Sequence, residues 1–136
     1  MNEAERRKEV GRWLQYARDD LAVAEELSAL EPQRHRHICW LSQQAAEKAM
    51  KAVLVFLQIP FPFTHDLDAL RDLIPPDWVL ASEHRDLADL AEWAVESRYP
   101  GSWPEPTFLD AESALSQARG LVASVVRDLE EHGLRG

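Results

Sequence analysis

The sequence predicts an all-α protein of one domain. Apolar residues recur at three- and four-residue steps through long segments, and proline-rich stretches separate these segments. No segment shows the strict alternation of apolar and polar residues that is typical of a strand. A chain of 136 residues has the size of one domain. We therefore expect a single helical domain over residues 1–136, built as an up-and-down antiparallel bundle of about five helices.

The two long helices at the start of the chain form the first part of the predicted bundle. The first is expected over residues 5–30, where apolar residues follow helical spacing until Pro32 interrupts the pattern. The second is expected over residues 33–58, and its apolar arc is too wide for a single contact. It should therefore be covered on two sides, either centrally in the bundle or at an interface between two copies of the chain.

Two short helices are predicted in the middle of the chain. The segment IPFPF favours extended geometry, because each proline lacks an amide hydrogen and restricts its predecessor. Thr64 is predicted to cap the third helix, which ends at PPD. Ser82 is predicted to cap a fourth helix over about 82–97, followed by the loop RYPGSWPEP.

The last helix is predicted from the spacing of Thr107 and Asp110, which matches a capping box. It should run to about Glu131, with Gly133 as its stop signal. Its length makes it the third long helix of the bundle.

Charge and composition exclude several classes of protein. The net charge of −9 opposes broad binding to DNA or RNA, so any contact with nucleic acid must be local. Cys39 is the single cysteine, which rules out an internal disulfide and indicates a buried thiol in a reducing compartment. The longest apolar run, AVLVFL, is too short to span a bilayer, and no export signal opens the chain. We expect a cytoplasmic protein.

Motifs for cofactor or metal chemistry are missing from the sequence. It contains no Gly-rich phosphate loop, no Cys pair and no HExxH motif, so we expect no cofactor. His35 and His37 lie two residues apart on a helix and point about 200° apart, which excludes a shared metal ion. We expect no metal site.

A basic cluster, RHRH, opens the second helix at residues 34–37, where the partial charge of the helix is already positive. Two explanations are open. Acidic residues that close the first helix could compensate the cluster, namely Glu25, Glu26 and Glu31. Alternatively, the cluster recruits a phosphate group or an acidic partner.

Several short motifs occur in a characteristic order. QQAAEKAMKA is followed after a short hydrophobic gap by THDL, with ARDDLAVAEEL on the preceding helix and RYPG after the fourth. Together they resemble the HEPN domain family of prokaryotic helical proteins, from about residue 9 to residue 130. The resemblance implies a helical bundle that commonly dimerises. It also implies a gene encoded beside a minimal nucleotidyltransferase in a two-gene module of toxin-antitoxin type.

The function that this resemblance implies is a nucleotide- or partner-binding module. The expected partners are a second copy of the chain in a homodimer, a minimal nucleotidyltransferase, and a nucleotide or RNA, with no membrane contact. The wide apolar arc of the second helix agrees with dimerisation. The candidate ligand-binding residues are His65, Asp66, Lys48, Lys51, Arg98 and Tyr99.

Each of these candidates also has a purely structural interpretation. His65 and Asp66 would anchor the turn, with the carboxylate accepting from backbone amides. Arg98 would fix its loop against the bundle. The polar residues of the second helix would form a strip between two apolar contacts, and they include Gln43, Gln44, Glu47 and Lys48.

Other branches of the family resemble metal-independent ribonucleases, whose signature is an Arg followed at short spacing by a His. No His follows Arg98 at that spacing, and the match that does occur is Arg127 with His132. About one such match is expected by chance. Acidic neighbours such as Asp128 should repel RNA and keep His132 protonated. An endoribonuclease toxin with Arg127 and His132 as catalytic residues is therefore the alternative function, and a structural subunit without a ligand is a third.

Overall fold

The computed structural model describes residues 1–96 and 104–134. Within these ranges the chain forms six helices and no strand, which confirms the all-α prediction. The helices are α1 (Glu3–Ser28), α2 (His35–Phe56), α3 (Leu67–Asp72), α4 (Val79–Glu83), α5 (Ala88–Glu96) and α6 (Phe108–Glu131). None of these helices is both long enough and apolar enough to cross a bilayer.

The four longest helices alternate in direction, as predicted for an up-and-down bundle. Near the start of α1, Arg6 donates through Nη1 to the carbonyl oxygen of Phe56 at the end of α2, over 2.8 Å. Asp86, just before α5, accepts through its carbonyl oxygen from Gln117 in the middle of α6, while Trp93 late in α5 lies beside the start of α6. The pairs α1–α2 and α5–α6 are therefore both antiparallel.

Helix α2 is the central element of the bundle. It packs against α1 and α6, and also against α3 and α5. Met50 and Val53 have no exposed surface, and Phe56 is 8% exposed. The wide apolar arc of α2 is thus covered within one protomer. This helix does not need a second copy of the chain to cover it, and its apolar arc gives no support to the predicted homodimer.

The ends of α6 follow the sequence prediction. The amide of Asp110 donates to Thr107 Oγ1 over 3.2 Å, and the Thr107 amide donates to Asp110 Oδ2 over 2.8 Å. The helix ends at Glu131, and Gly133 has a φ of 102°, a backbone conformation that favours glycine. The capping box and the glycine stop are confirmed.

The predicted starts of the two middle helices were wrong. Asp66, not Thr64, caps α3, because its Oδ1 accepts from the Ala69 amide while Thr64 Oγ1 accepts from the Asp66 amide. Ser82 lies inside α4 and bonds back to the carbonyl of Val79. The predicted fourth helix is in fact two helices, α4 and α5. A side chain of α6 holds the start of α4, and local sequence patterns do not reveal such a contact.

Candidate functional site

A buried carboxylate, Glu47, lies at the centre of the candidate site. Helix α2 carries Gln43, Glu47 and Lys51 at four-residue steps, which puts all three on one helical face. The extended segment after α2 brings His65 to the same place. We call these four residues the Glu47 cluster.

Three side chains hold the carboxylate of Glu47. Gln43 donates through Nε2 to Oε1 over 3.0 Å, and Lys51 donates through Nζ to Oε2 over 2.9 Å. His65 Nδ1 lies 2.7 Å from Oε1. The Glu47 and Lys51 side chains are 6% and 8% exposed, whereas His65 is 36% exposed. The cluster is therefore a buried ion pair with a single histidine at its rim.

The environment of Glu47 favours its charged form. Burial alone would raise the pKa of this carboxyl, but the hydrogen bonds from His65, Gln43 and Lys51 outweigh burial and hold its pKa below the ordinary value. An ionised Glu47 can compensate the ammonium group of Lys51. Each charge would be costly if buried without the other.

Aromatic rings enclose the ammonium group of Lys51. Its Nζ lies 5.6 Å from the ring centre of Trp13 and 5.7 Å from that of Phe61. The two rings meet edge to face, with centroids 6.5 Å apart. Both contacts are within cation–π distance, so they stabilise the cation from the sides that Glu47 does not reach.

The outer surface of the site is aromatic. Phe63 is 95% exposed and its ring centroid lies 6.1 Å from that of His65. Pro60 and Pro62 precede Phe63 and restrict the backbone that leads to it. Because His65 binds Glu47 through Nδ1, its Nε2 remains for a second interaction.

The structure brings two of the predicted ligand-binding residues, Lys51 and His65, together. Lys48 instead donates to Asp20 Oδ2 over 2.6 Å and so links α2 to α1. Asp66 caps α3, which agrees with the turn-anchoring alternative. Arg98 and Tyr99 lie outside the described residues.

The predicted catalytic pair of the nuclease alternative lies at the end of α6. Arg127 has a 71% exposed side chain and pairs with Glu131 at 3.5 Å. His132 stacks on Trp78 with centroids 3.9 Å apart and donates through Nδ1 to the Asp128 carbonyl over 2.8 Å. Both side chains thus have local structural partners.

Asp128 does not have the role that the sequence predicted for it. It is 1% exposed, and its carboxylate accepts from the backbone amides of Val79 and Leu80 over 3.0 and 2.8 Å. A carboxylate enclosed in this way presents no surface charge to RNA. It caps α4 from the neighbouring helix, and we call this contact the α4–α6 junction.

Sequence reasoning missed Glu47 and Gln43 as members of the site. Both were assigned to a polar strip, yet Gln43 and Glu47 are buried. A signal was present, because Gln43, Glu47 and Lys51 are spaced four residues apart among apolar neighbours. That pattern predicts polar side chains that must satisfy one another.

The chain is similar to known proteins at the level of sequence and of structure. The model of the HEPN domain matches residues 10–129. The crystal structure of TT1696 from Thermus thermophilus is 28% identical in sequence and superposes with a TM-score of 0.67. That match covers 88% of this chain and 98% of the other. No curated protein matches the chain.

Proposed function

Because the chain belongs to the HEPN domain family, we propose that it is a nucleotide- or partner-binding module whose contact surface is centred on the Glu47 cluster. One observation carries the proposal: a buried carboxylate orients a histidine whose ring is 36% exposed, beside a phenylalanine that is 95% exposed. Phenylalanine is among the residues that are enriched at the cores of protein interfaces, and a histidine in a fixed orientation beside it supplies a polar contact.

The chemistry of this surface suits a ligand with an aromatic face and a polar group. The ring of Phe63 can stack on a base or fill a pocket of a partner protein. His65 Nε2 can bond a phosphate oxygen or a carbonyl group. Since Glu47 holds the imidazole through Nδ1, little side-chain freedom is lost on binding.

We propose that the protein partner is a minimal nucleotidyltransferase, encoded beside this chain in a two-gene module of toxin-antitoxin type. Family membership supports this pairing. The proposed location of both products is the cytoplasm. If substitution of Phe63 or of His65 abolishes binding of this partner, the partner binds at the Glu47 cluster.

A homodimer remains part of the proposal, but through a different surface from the one first predicted. Helix α1 exposes Tyr16 to 57% and Val23 to 42%, one heptad apart on the same face. A second copy of the chain could cover this stripe. Light scattering that gave the protomer mass of 15.5 kDa at micromolar concentration would contradict the dimer.

Co-purification tests the proposed partner. The chain and the product of the adjacent gene are expressed together, and the partner is expected to be retained by the wild type. Phe63→Ser and His65→Ala should each reduce retention. The matched control is Leu109→Ser, which removes another exposed apolar side chain, 73% exposed, from α6.

Two results would contradict the proposed binding function. If no nucleotidyltransferase gene lies nearby, and no nucleotide binds in calorimetry, a structural subunit becomes the better assignment. If the three variants retain the partner equally, the contact lies elsewhere on the chain.

The nuclease alternative is tested separately. The protein is incubated with total RNA beside the His132→Ala variant, and we expect intact RNA with both. Cleavage that His132→Ala abolishes would support catalysis by Arg127 and His132 and would contradict our assignment. The two side chains already stabilise the end of α6, so a structural role accounts for them.

A further inference from the structure

The ring hydrogen of His65 has a position that Glu47 determines. His65 Nδ1 lies 2.7 Å from Glu47 Oε1. Glu47 is ionised, because its pKa is held below the ordinary value, and an ionised carboxylate can only accept hydrogen bonds. Nδ1 must therefore carry the hydrogen and donate it. The bond at one ring nitrogen sets the state of the other, so the neutral ring presents a lone pair at Nε2.

The side chains of α2 support this arrangement. Gln44 donates through Nε2 to Gln43 Oε1 over 2.6 Å, and this bond turns the amide nitrogen of Gln43 toward Glu47, 3.0 Å away. Lys51 compensates the charge of Glu47 and donates to it over 2.9 Å. Neutral His65 supplies the third donor, so the carboxylate is satisfied without an imidazolium cation.

A group that binds the neutral ring at Nε2 must donate a hydrogen bond. An ionised phosphate or a carbonyl oxygen has no hydrogen to donate, so it could bind there only after His65 had gained a second proton. Amide, hydroxyl, ammonium and guanidinium groups donate directly. The net charge of −9 attracts the cations among them.

The exposed ring of Phe63 favours a planar cation. It is 95% exposed, and its centroid lies 6.1 Å from that of His65, so one side chain can contact both rings. A guanidinium group stacks on an aromatic ring and donates from its edge. An ammonium group is more strongly hydrated and lacks this planar shape.

The same combination of contacts occurs elsewhere in this protein. The guanidinium carbon of Arg6 lies 4.7 Å from the ring centre of Phe56, while Arg6 Nη1 donates to the Phe56 carbonyl over 2.8 Å. One guanidinium group there uses an aromatic ring and a neighbouring acceptor together. Phe63 and His65 Nε2 offer the same two elements at the surface.

We propose that the protein partner of the Glu47 cluster presents an arginine side chain, which stacks on Phe63 and donates a hydrogen bond to His65 Nε2. This contact rests on the proposed function and gives the partner's contact group a chemical identity. A protein donor is thereby favoured over a nucleotide phosphate at neutral pH.

NMR of the histidine ring nitrogens tests the contact directly. At about pH 8, the hydrogen of His65 is expected on Nδ1, with Nε2 bare. N-acetylarginine amide should shift the Nε2 signal, and N-acetylcitrulline amide, an uncharged analogue of the same shape, should bind about threefold more weakly. A hydrogen on Nε2 instead, or equal binding of the two probes, would overturn the proposal.

His35 and Phe108 provide a matched control. Their centroids are 6.3 Å apart, but among the described residues no carboxylate bonds to His35. Phe63→Ser should weaken arginine binding about threefold and His65→Phe about fivefold, since they remove the stacking ring and the acceptor. Phe108→Ser should leave binding unchanged. Equal losses for Phe63→Ser and Phe108→Ser would contradict the assigned site.

The pH dependence of binding separates a donor ligand from an acceptor ligand. Arginine binding should weaken from about pH 8 to about pH 5.5, because a histidine gains its second proton in this range and then donates at both nitrogens. Glu47 stays ionised there, since its pKa is lowered from 4.5; it remains paired with Lys51, and Asp66 beside His65 caps α3. Binding that strengthens toward pH 5.5, or tighter binding of inorganic phosphate than of arginine at pH 8, would overturn the proposal.

Co-purification distinguishes failure of this contact from failure of the proposed function. If retention of the partner depends on Phe63 and His65 but N-acetylarginine amide does not bind, the arginine contact is wrong and the binding surface stands. If retention depends on neither residue, the binding surface is wrong and the arginine contact fails with it.

Discussion

Two buried carboxylates, Glu47 and Asp128, occupy very different surroundings. Three side chains hold Glu47, and one of them, His65, reaches the surface. Two backbone amides at the start of α4 hold Asp128, which is 1% exposed. The first arrangement connects a buried charge to solvent through a histidine, whereas the second is closed.

The difference separates a binding role from a structural one. Amides in the backbone have fixed positions, so a carboxylate that binds them stabilises one arrangement of two helices. Side-chain partners such as His65 can form further bonds on their outer edge. Burial and charge alone would give both carboxylates the same interpretation. The identity of their partners distinguishes them.

The largest expected effect is that of Glu47→Ala on stability. This change leaves the ammonium group of Lys51 buried without its carboxylate, which should lower the free energy of unfolding by about 3 kcal/mol. Urea denaturation measures the loss. The double variant Glu47→Leu with Lys51→Leu removes both charges and should recover most of it. A double variant no more stable than the single one would contradict the ion-pair explanation.

A smaller loss of stability is expected for Asp128→Ala. Two amides at the start of α4 would lose their acceptor, which should lower the free energy of unfolding by about 2 kcal/mol. The same denaturation experiment measures it. Glu130→Ala, an exposed acidic neighbour, is the control and should change stability by less than about 0.5 kcal/mol. Equal effects of the two variants would rule out the cap.

The pH dependence of stability should also distinguish the α4–α6 junction from the Glu47 cluster. At the α4–α6 junction His84 Nε2 lies 2.9 Å from Ser124 Oγ, and burial lowers the pKa of His84 below its ordinary value of 6.5, against the opposing effect of Glu83 and Asp128. A histidine with a lowered pKa favours the folded state in its neutral form. The contribution of His84 to the free energy of unfolding is therefore fully present above pH 6.5 and is lost as the pH falls below that value.

Thermal unfolding between pH 8 and pH 4 checks this expectation. His84→Gln should remove part of the decline that the wild type shows below about pH 6.5. Glu47→Gln should be less stable than the wild type above about pH 4.5 and should lack the decline in stability that the wild type shows below that pH, because the pKa of this carboxyl is lowered from 4.5. Superimposable profiles for His84→Gln and the wild type would contradict the assigned environment of His84.

The smallest effect on stability is expected for Phe63→Ser. This side chain is 95% exposed, so its removal should change the free energy of unfolding by less than about 0.5 kcal/mol. Urea denaturation of this variant would measure the change. A loss above about 1 kcal/mol would show that Phe63 supports the fold, and the exposed ring could then no longer be assigned to binding alone.

The fold was predictable because helical periodicity is a local property of the sequence. The long helices were predicted to within two or three residues at most ends, and the capping box at Thr107 was predicted correctly. Helix α4 was not predicted, since its cap is Asp128, which lies 49 residues beyond Val79. No local pattern contains that contact.

The candidate site was predictable only in part. Lys51 and His65 were predicted from their residue types, but the carboxylate between them was missed, because a polar residue on a helix is usually exposed. The width of the apolar arc of α2 could not decide between a central helix and a subunit interface. Both positions require the same residues, and the contacts with α6 and α5 settled the question.

The central position of α2 determines which parts of the molecule unfold first. A helix wrapped by four others can lose its backbone hydrogen bonds only when the whole bundle comes apart, so its amides should be the last to exchange with deuterium. Loop segments such as the one that carries Phe63 should exchange first. Surface segments such as this loop can therefore rearrange when a ligand or partner binds, while α2 keeps its position in the core.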